Sequence, residues 1–139
     1  MIDTRTAPYA ACLLRISLGG LLLAHAGLKY FVFTPAGTEK FFASLGLPGW
    51  VGLAVMAAET LCGLALIFGV FTRIAALLMA ADLLGAIFLV HIHNGFFFTN
   101  TGGGYEYPAF WAIASIVQAL LGEGAFAARL APRPTPKAA

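Results

Sequence analysis

Residues 9–30 read YAACLLRISLGGLLLAHAGLKY, an apolar run broken only by Arg15, Ser17, His25, Lys29 and the tyrosines at its ends. A helix that crosses a bilayer needs about 20 mainly apolar residues, and this stretch has that length. Three further runs follow, over residues 50–71, 74–91 and 107–121, the last of them short. The whole chain agrees with this: of its 139 residues 60% are hydrophobic and 10% charged, and its mean hydropathy is +0.89. Soluble domains carry about 25% charged residues. The reading is an all-α, integral membrane four-helix bundle, one domain over residues 1–130 with a disordered tail over 131–139.

The connections fit four spans. Between the first two lies FTPAGTEKFFASLGLPGW, residues 33–50, whose middle sets Thr38, Glu39 and Lys40 beside Phe41, Phe42 and Leu45. That pattern suits a short helix lying along the membrane surface, with Pro48-Gly49 turning into span two. Gly69-Val-Phe-Thr-Arg73 is a tight turn between spans two and three. Arg5, Arg73, Arg129, Arg133 and Lys137 fall on one side of this topology, with Lys40 and the end of span one at Lys29 on the other. By the positive-inside rule both termini are cytoplasmic, and the expected location is a bacterial inner membrane. Ala24-His25-Ala26 looks like a signal-peptidase site, but Arg15 interrupts the apolar region before it, so the first span reads as retained. Cys12 and Cys62 sit in apolar runs without CxxC or metal-type spacing and read as small buried hydrophobes. A net charge of +2 is too small to point to nucleic acid.

Ionisable residues inside a bilayer are expensive and by default functional. Those of span one are aligned: Arg15, Leu18, Leu22, His25 and Lys29 recur at helical spacing on one face, flanked by Gly19 and Ala26, which let another helix come close. Span two has a stripe of Gly52, Met56, Glu59, Gly63 and Leu66, and span four one of Trp111, Ser115, Gln118 and Gly122. In span three Ala75, Met79, Asp82, Ala86, Leu89 and His93 share a face, whereas His91 lies roughly 180° from Asp82 at about 100° per residue. Glu59 and Asp82 are near mid-span, and Arg15 has a side chain long enough to pair with either, so these three form an expected buried charge network.

At the outer end the loop HIHNGFFFTNTGGGYEYP, residues 91–108, covers the ends of spans one and three. The glycines at 102–104 let it fold back over the bundle, and Phe96–Phe98 suit an interfacial aromatic lid or anchor. The expected site is a pocket with His25, Lys29, His93 and Glu106 as its catalytic or proton-transfer groups, and Tyr105, Trp111 and Gln118 as further ligand contacts. Two helix-borne histidines at similar depth can ligate haem, but nothing in the spacing requires haem or another metal.

An early Arg15, Gly27-Leu-Lys29, Glu59, Gly69-Val-Phe-Thr-Arg73, Gly95-Phe-Phe97, Gly103-Gly-Tyr-Glu-Tyr-Pro108 and Gly122-Glu-Gly124, in this order, resemble the DoxX family of small bacterial membrane proteins, including its DoxD-like members. The resemblance covers about residues 10–130. It departs at the end, where the family often continues into a Ser-Leu-Asp-like sequence and this chain has Ala-Phe-Ala-Ala-Arg-Leu. The resemblance implies a four-helix inner-membrane protein and, from family names, thiosulfate oxidation with a quinone as electron acceptor. On that basis the chain is expected to be the membrane subunit of a quinone-linked oxidoreductase, with His25 or His93 passing protons and Lys29 polarising a carbonyl. The alternatives are a non-catalytic membrane partner of other proteins, or a carrier of protons or a small solute that uses Arg15, Glu59 and Asp82 as a relay. Expected partners are membrane lipid, a quinone, soluble or membrane oxidoreductase subunits, and further copies of the chain.

Overall fold

A computed structural model describes residues 3–128. The tail over 131–139 and the cations Arg129, Arg133 and Lys137 lie outside the described residues. The described residues form five α-helices: α1 Ala7–Gly27, α2 Pro35–Ser44, α3 Trp50–Phe68, α4 Thr72–Ala86 and α5 Glu106–Leu121. No strand occurs among the described residues. Beyond their α-helical parts, α1 and α4 continue as wider π-helical turns, Leu28–Val32 and Ile87–His91. Counted with these extensions, Ala7–Val32, Trp50–Phe68 and Thr72–Asn94 are long and apolar enough to cross a membrane. Helix α5, with 16 residues, spans only about 24 Å.

Local chemistry sets the boundaries. Pro35 opens α2 at a position whose N–H has no helical partner, and the Thr34 hydroxyl accepts from Gly37 N–H at 3.2 Å as an N-cap. Helix α3 ends at Gly69, with φ of 73°. Val70 N–H donates to Ala65 O at 2.9 Å and Gly69 N–H to Leu66 O at 3.2 Å, the two bonds of a Schellman ending. The run expected to continue to Phe71 therefore stops three residues early, because the glycine's left-handed conformation turns the backbone out of the helix.

Helix α1 packs along α3 and α4 along α5, while α3 also meets α4 and α1 meets α5. The closest crossing is at Gly19 and Gly63. A Cβ on Gly19 would lie 2.8 Å from Gly63 O, and one on Gly63 would lie 3.1 Å from Gly19 O. Leu18, Leu22, Leu66, Met79 and Trp111 form part of one continuous core. The outside carries Leu13, Phe31, Leu61, Phe88, Phe110 and Leu120, all well exposed. An exterior this apolar belongs against lipid rather than water.

Arranged this way, α1 and α4 run from one end of the molecule to the other, and α3 and α5 run back. One end, the turn end, holds residues 69–71 and the last turns of α3 and α5. The other, the loop end, holds the π-helical turns, α2 and the long loop into α5. Gly52, Met56, Glu59, Gly63 and Leu66 of α3 are all buried, as are Arg15, Leu18 and Leu22 of α1 and Trp111, Ser115 and Gln118 of α5. The stripes read from helical spacing are thus the buried faces. His25, Lys29 and Asp82, on the same stripes, are only partly buried, because they border a cavity.

Candidate functional site

The turn end shows what an enclosed charge does when the fold closes around it. Arg15 is 1% exposed. Its guanidinium donates to Leu66 O at 3.0 Å, Ile67 O at 3.1 Å and Ala125 O at 3.1 Å, with the Cys12 sulfur at 3.5 Å. Neither Glu59 nor Asp82 is a partner, so the expected Arg15 carboxylate pair does not form. Seven residues separate Glu59 from Leu66, about 10 Å along the helix. Arg15 lies level instead with the last turn of α3, where Leu66 and Ile67 lack the regular i+4 N–H partner and the carbonyls carry the negative end of the helix dipole. Arg73 does the same for α5, donating to Ala119 O at 3.0 Å. The segment after α5 seals this end: Ala125 N–H donates to Pro8 O and Ala128 N–H to Phe68 O, both at 2.8 Å. Gln118 belongs here too, fully buried with its amide nitrogen 2.7 Å from Gly122 O, so the structure does not bring it to the expected ligand pocket.

At the loop end the charged groups surround space. Lys29 donates to both oxygens of Glu59, at 2.6 and 2.8 Å. Glu59 is 5% exposed. Next to this pair is a cavity of about 630 Å³ lined by His25, Lys29, Glu59, Asp82, His91 and Trp111, among apolar walls from α2, α3 and α4. His25 places Nδ1 3.0 Å from Leu21 O, and its ring centre is 4.9 Å from that of Trp111. His91 places Nδ1 2.8 Å from Gly103 O. A carbonyl oxygen only accepts, so Nδ1 carries a proton in both rings, and in the neutral form of each ring Nε2 is the acceptor nitrogen. Trp111 lines the cavity and is 5% exposed, and its Nε1–H is buried without a partner behind that wall.

His93, expected on the Asp82 face, is exposed and lines no part of the cavity, and His91 stands there instead. The π-helical turn over Ile87–His91, followed by the 3-10 turn Ile92–Asn94 that carries His93, is the reason. Its i to i+5 bonding takes in one extra residue and turns everything beyond it back by roughly 100°. His91 comes round towards Asp82 and His93 leaves that face. The similar turn over Leu28–Val32 carries Lys29. Neither turn is visible to a count at constant helical spacing.

The loop is a built element. Tyr105 N–H donates to Gly95 O at 3.1 Å, Glu106 N–H to Phe96 O at 2.9 Å, and the Asn94 amide to both Gly102 O and Gly103 O at 3.0 Å. A side chain on Gly104 would strike the carbonyl oxygens of Gly95, Phe96 and Phe97, which is why glycine is needed there. Glu106 does not turn towards Lys29 and His25: its Oε1 accepts from Phe98 N–H at 2.9 Å, closing the loop against the start of α5. Tyr105 packs edge-on against Phe96 with ring centres 5.4 Å apart and is not a cavity residue. Of the expected site residues, His25, Lys29, Glu59, Asp82 and Trp111 converge, while Arg15, His93, Tyr105, Glu106 and Gln118 do not. Among the described residues no three His, Cys, Asp or Glu side chains are grouped to hold a metal ion.

The sequence model of the DoxX family matches residues 10–92. The chain belongs to the DoxX family. The match takes in Lys29, Glu59, Asp82 and His91 and stops short of α5. This DoxX-family chain is also 36% identical over 110 residues to a protein of Bacillus subtilis (strain 168) described as "Putative oxidoreductase CatD", an overlap of 79% of this chain and 77% of that protein. No solved structure matches the chain.

Proposed function

We propose that this DoxX-family protein is the membrane subunit of a quinone-linked oxidoreductase and that the loop-end cavity receives the quinone head group. The observation that carries this reading is a cavity of about 630 Å³ with apolar walls and a few converging polar groups, whereas the apolar hollow of about 650 Å³ beside Leu23, Tyr30 and Leu61 has no charged group in its lining. Its size is within the ordinary range for small-molecule sites, about 300–1,000 Å³. The relative's description as an oxidoreductase supports the reaction class. In this reading α1, α3, α4 and the short α5 cross the bacterial inner membrane as a four-helix bundle and α2 lies in the interface. The turn end, with Arg5 and Arg73, is in this reading the cytoplasmic one by the positive-inside rule, and both termini lie on that side.

The donor set suits a quinone: the Lys29 ammonium can hydrogen-bond a carbonyl oxygen, and a small turn of the Trp111 indole would bring its unpartnered Nε1–H to bear on the head group. A bound quinone accepts two electrons and two protons, the electrons coming from a partner oxidoreductase subunit. His25 and His91 exchange protons at Nε2 while Nδ1 stays tied to a carbonyl, and this tie fixes the ring orientation that general acid catalysis needs. Glu59 holds the Lys29 ammonium in place. Mass spectrometry of lipids extracted from the purified protein tests this reading. Bound quinone is expected, and it should be lost in Lys29→Ala and His91→Ala. Absence of quinone from the unaltered protein, with no quenching of its tryptophan fluorescence by added quinone, would defeat it.

A second reading has its own observation. Asp82 lines the cavity without a hydrogen-bond or ion-pair partner among the described residues, and a carboxylate so placed suits a proton carrier. Proton flux in liposomes that disappears in Asp82→Asn, with no quinone bound, would favour it.

A further inference from the structure

The cavity walls are unevenly exposed. Its charged floor, at Glu59, is buried, whereas Phe41 of α2, Leu89 of α4 and Phe98 of the loop are 48%, 46% and 64% exposed. The rim is therefore apolar and the interior polar. A ligand arriving from water would meet the reverse of what its solvation favours, while one arriving from lipid meets a continuation of its own solvent. Val51 and Val55 on α3 and Leu89 on α4 border the cavity from two different helices, and α3 packs on α4 less extensively than on α1. Helix α2 sits over the α3 side, close enough that a Cβ on Gly52 would lie 2.9 Å from the Phe42 ring. On the α4 side is Gly85, also a cavity residue, and a Cβ there would meet nothing within 4 Å. A glycine in mid-helix weakens the helix, and no close neighbour calls for this one. What it leaves is room.

We infer that the ligand enters the cavity sideways from the bilayer, between the loop-end halves of α3 and α4 beneath α2, and that Gly85 sets ligand specificity by keeping open a channel for an apolar tail. The inference rests on the quinone reading of the cavity and adds to it the class of molecule: a lipid-borne quinone whose tail stays in the α3–α4 gap while its head group reaches Lys29 and Trp111. The tail passes Val55 and Gly85 and leaves past Leu89, so only the head group has to give up its lipid surroundings.

The test uses the full-length protein in lipid nanodiscs with two probes, a quinone with a photoreactive group at the end of a long isoprenoid tail and the same head group without a tail. On the unaltered protein the tail label is expected on the peptides carrying Val51, Val55 and Leu89. Labelling confined to α5 or the turn end overturns the inference. Gly85→Leu should lower occupancy by the long-tailed probe at least about tenfold by filling the gap, and change binding of the tail-less one by less than about threefold. Undiminished long-tailed occupancy, or equal loss of both probes in a folded variant, also overturns it. Should Gly85→Leu not fold, the labelling pattern on the unaltered protein decides alone. If the unaltered protein binds neither probe, the quinone reading itself fails, a result distinct from all of these.

Discussion

The two ends of the molecule treat buried charge in opposite ways. At the turn end Arg15 is enclosed, 1% exposed, by the carbonyls of Leu66, Ile67 and Ala125. At the loop end Lys29 and Glu59 satisfy each other, yet they face open volume shared with Asp82, His25 and His91. Both ends contain a cation about a turn or two from a helix terminus, so sequence alone makes them look equivalent. What separates them is the partner. A cation bound to backbone carbonyls has no proton to exchange and its geometry is fixed by the helices, whereas an ion pair beside a cavity can open to a ligand.

The sharpest way to break this contrast is Arg15→Leu. It strands buried carbonyls at the end of α3 and on the closing segment, and should destabilise the fold by about 3–5 kcal/mol, enough to abolish recovery of folded protein. Arg15→Lys should not rescue it, because one ammonium cannot reproduce the planar fork. Neither should Glu59→Gln nor Asp82→Asn added to Arg15→Leu. Rescue by either, measured as yield and thermal unfolding in detergent, would restore the carboxylate partner that the structure denies to Arg15.

Gly69→Ala probes the same end with a smaller change. It places a side chain at a φ of 73° and into the Arg15 guanidinium, and should lower stability by about 1–3 kcal/mol, with the proposed ligand binding of the surviving protein unchanged. At the loop end the expected pattern reverses. Lys29→Met leaves Glu59 buried and unpaired, which should destabilise by about 1–3 kcal/mol and remove ligand. The double variant Lys29→Met with Glu59→Gln should regain most of the stability, since no buried charge is left without a partner, but not the ligand. If both return together, the pair is structural like Arg15 and the contrast between the ends collapses.

The smallest effects should be at the two histidines. His93→Ala, at an exposed side chain, should change stability by no more than about 0.5 kcal/mol and leave ligand occupancy alone. His91→Ala should lower stability by about 1 kcal/mol, one hydrogen bond to the loop, and should lower ligand occupancy severely. Equal responses in ligand extracts would mean that the π-helical turn does not set which imidazole serves the cavity.

The physics of periodicity explains how much of this was legible in the sequence. The buried faces of α1, α3 and α5 follow from regular spacing, which puts Arg15, Leu18, Leu22, Glu59, Leu66, Trp111 and Gln118 inside. The Gly19 contact with Gly63 follows from the preference for small residues where helices cross. Three things were not legible. The π-helical turns change the phase of the helix without a residue type that announces them, which moved His91 in and His93 out. The partners of Arg15 are backbone carbonyls, which have no letter in the sequence, so its side chain was matched to the nearest carboxylates instead. Glu106 was aimed at Lys29 across the bundle because the loop's own N–H groups, one of which it accepts from, are equally unwritten.

The bond between Arg15 and Ala125 joins positions 110 residues apart, and this gives the molecule a chronology. The ribosome releases the first helix long before the segment after α5 exists, so the first span must enter the membrane with its guanidinium incompletely partnered. Leu66 and Ile67 arrive with the second hydrophobic helix, and only the last stretch, reaching back to Pro8 and Phe68, completes the enclosure. Maturation of the fold thus ends where it began, and a lesion in residues 122–128 should be felt as a defect of the first span.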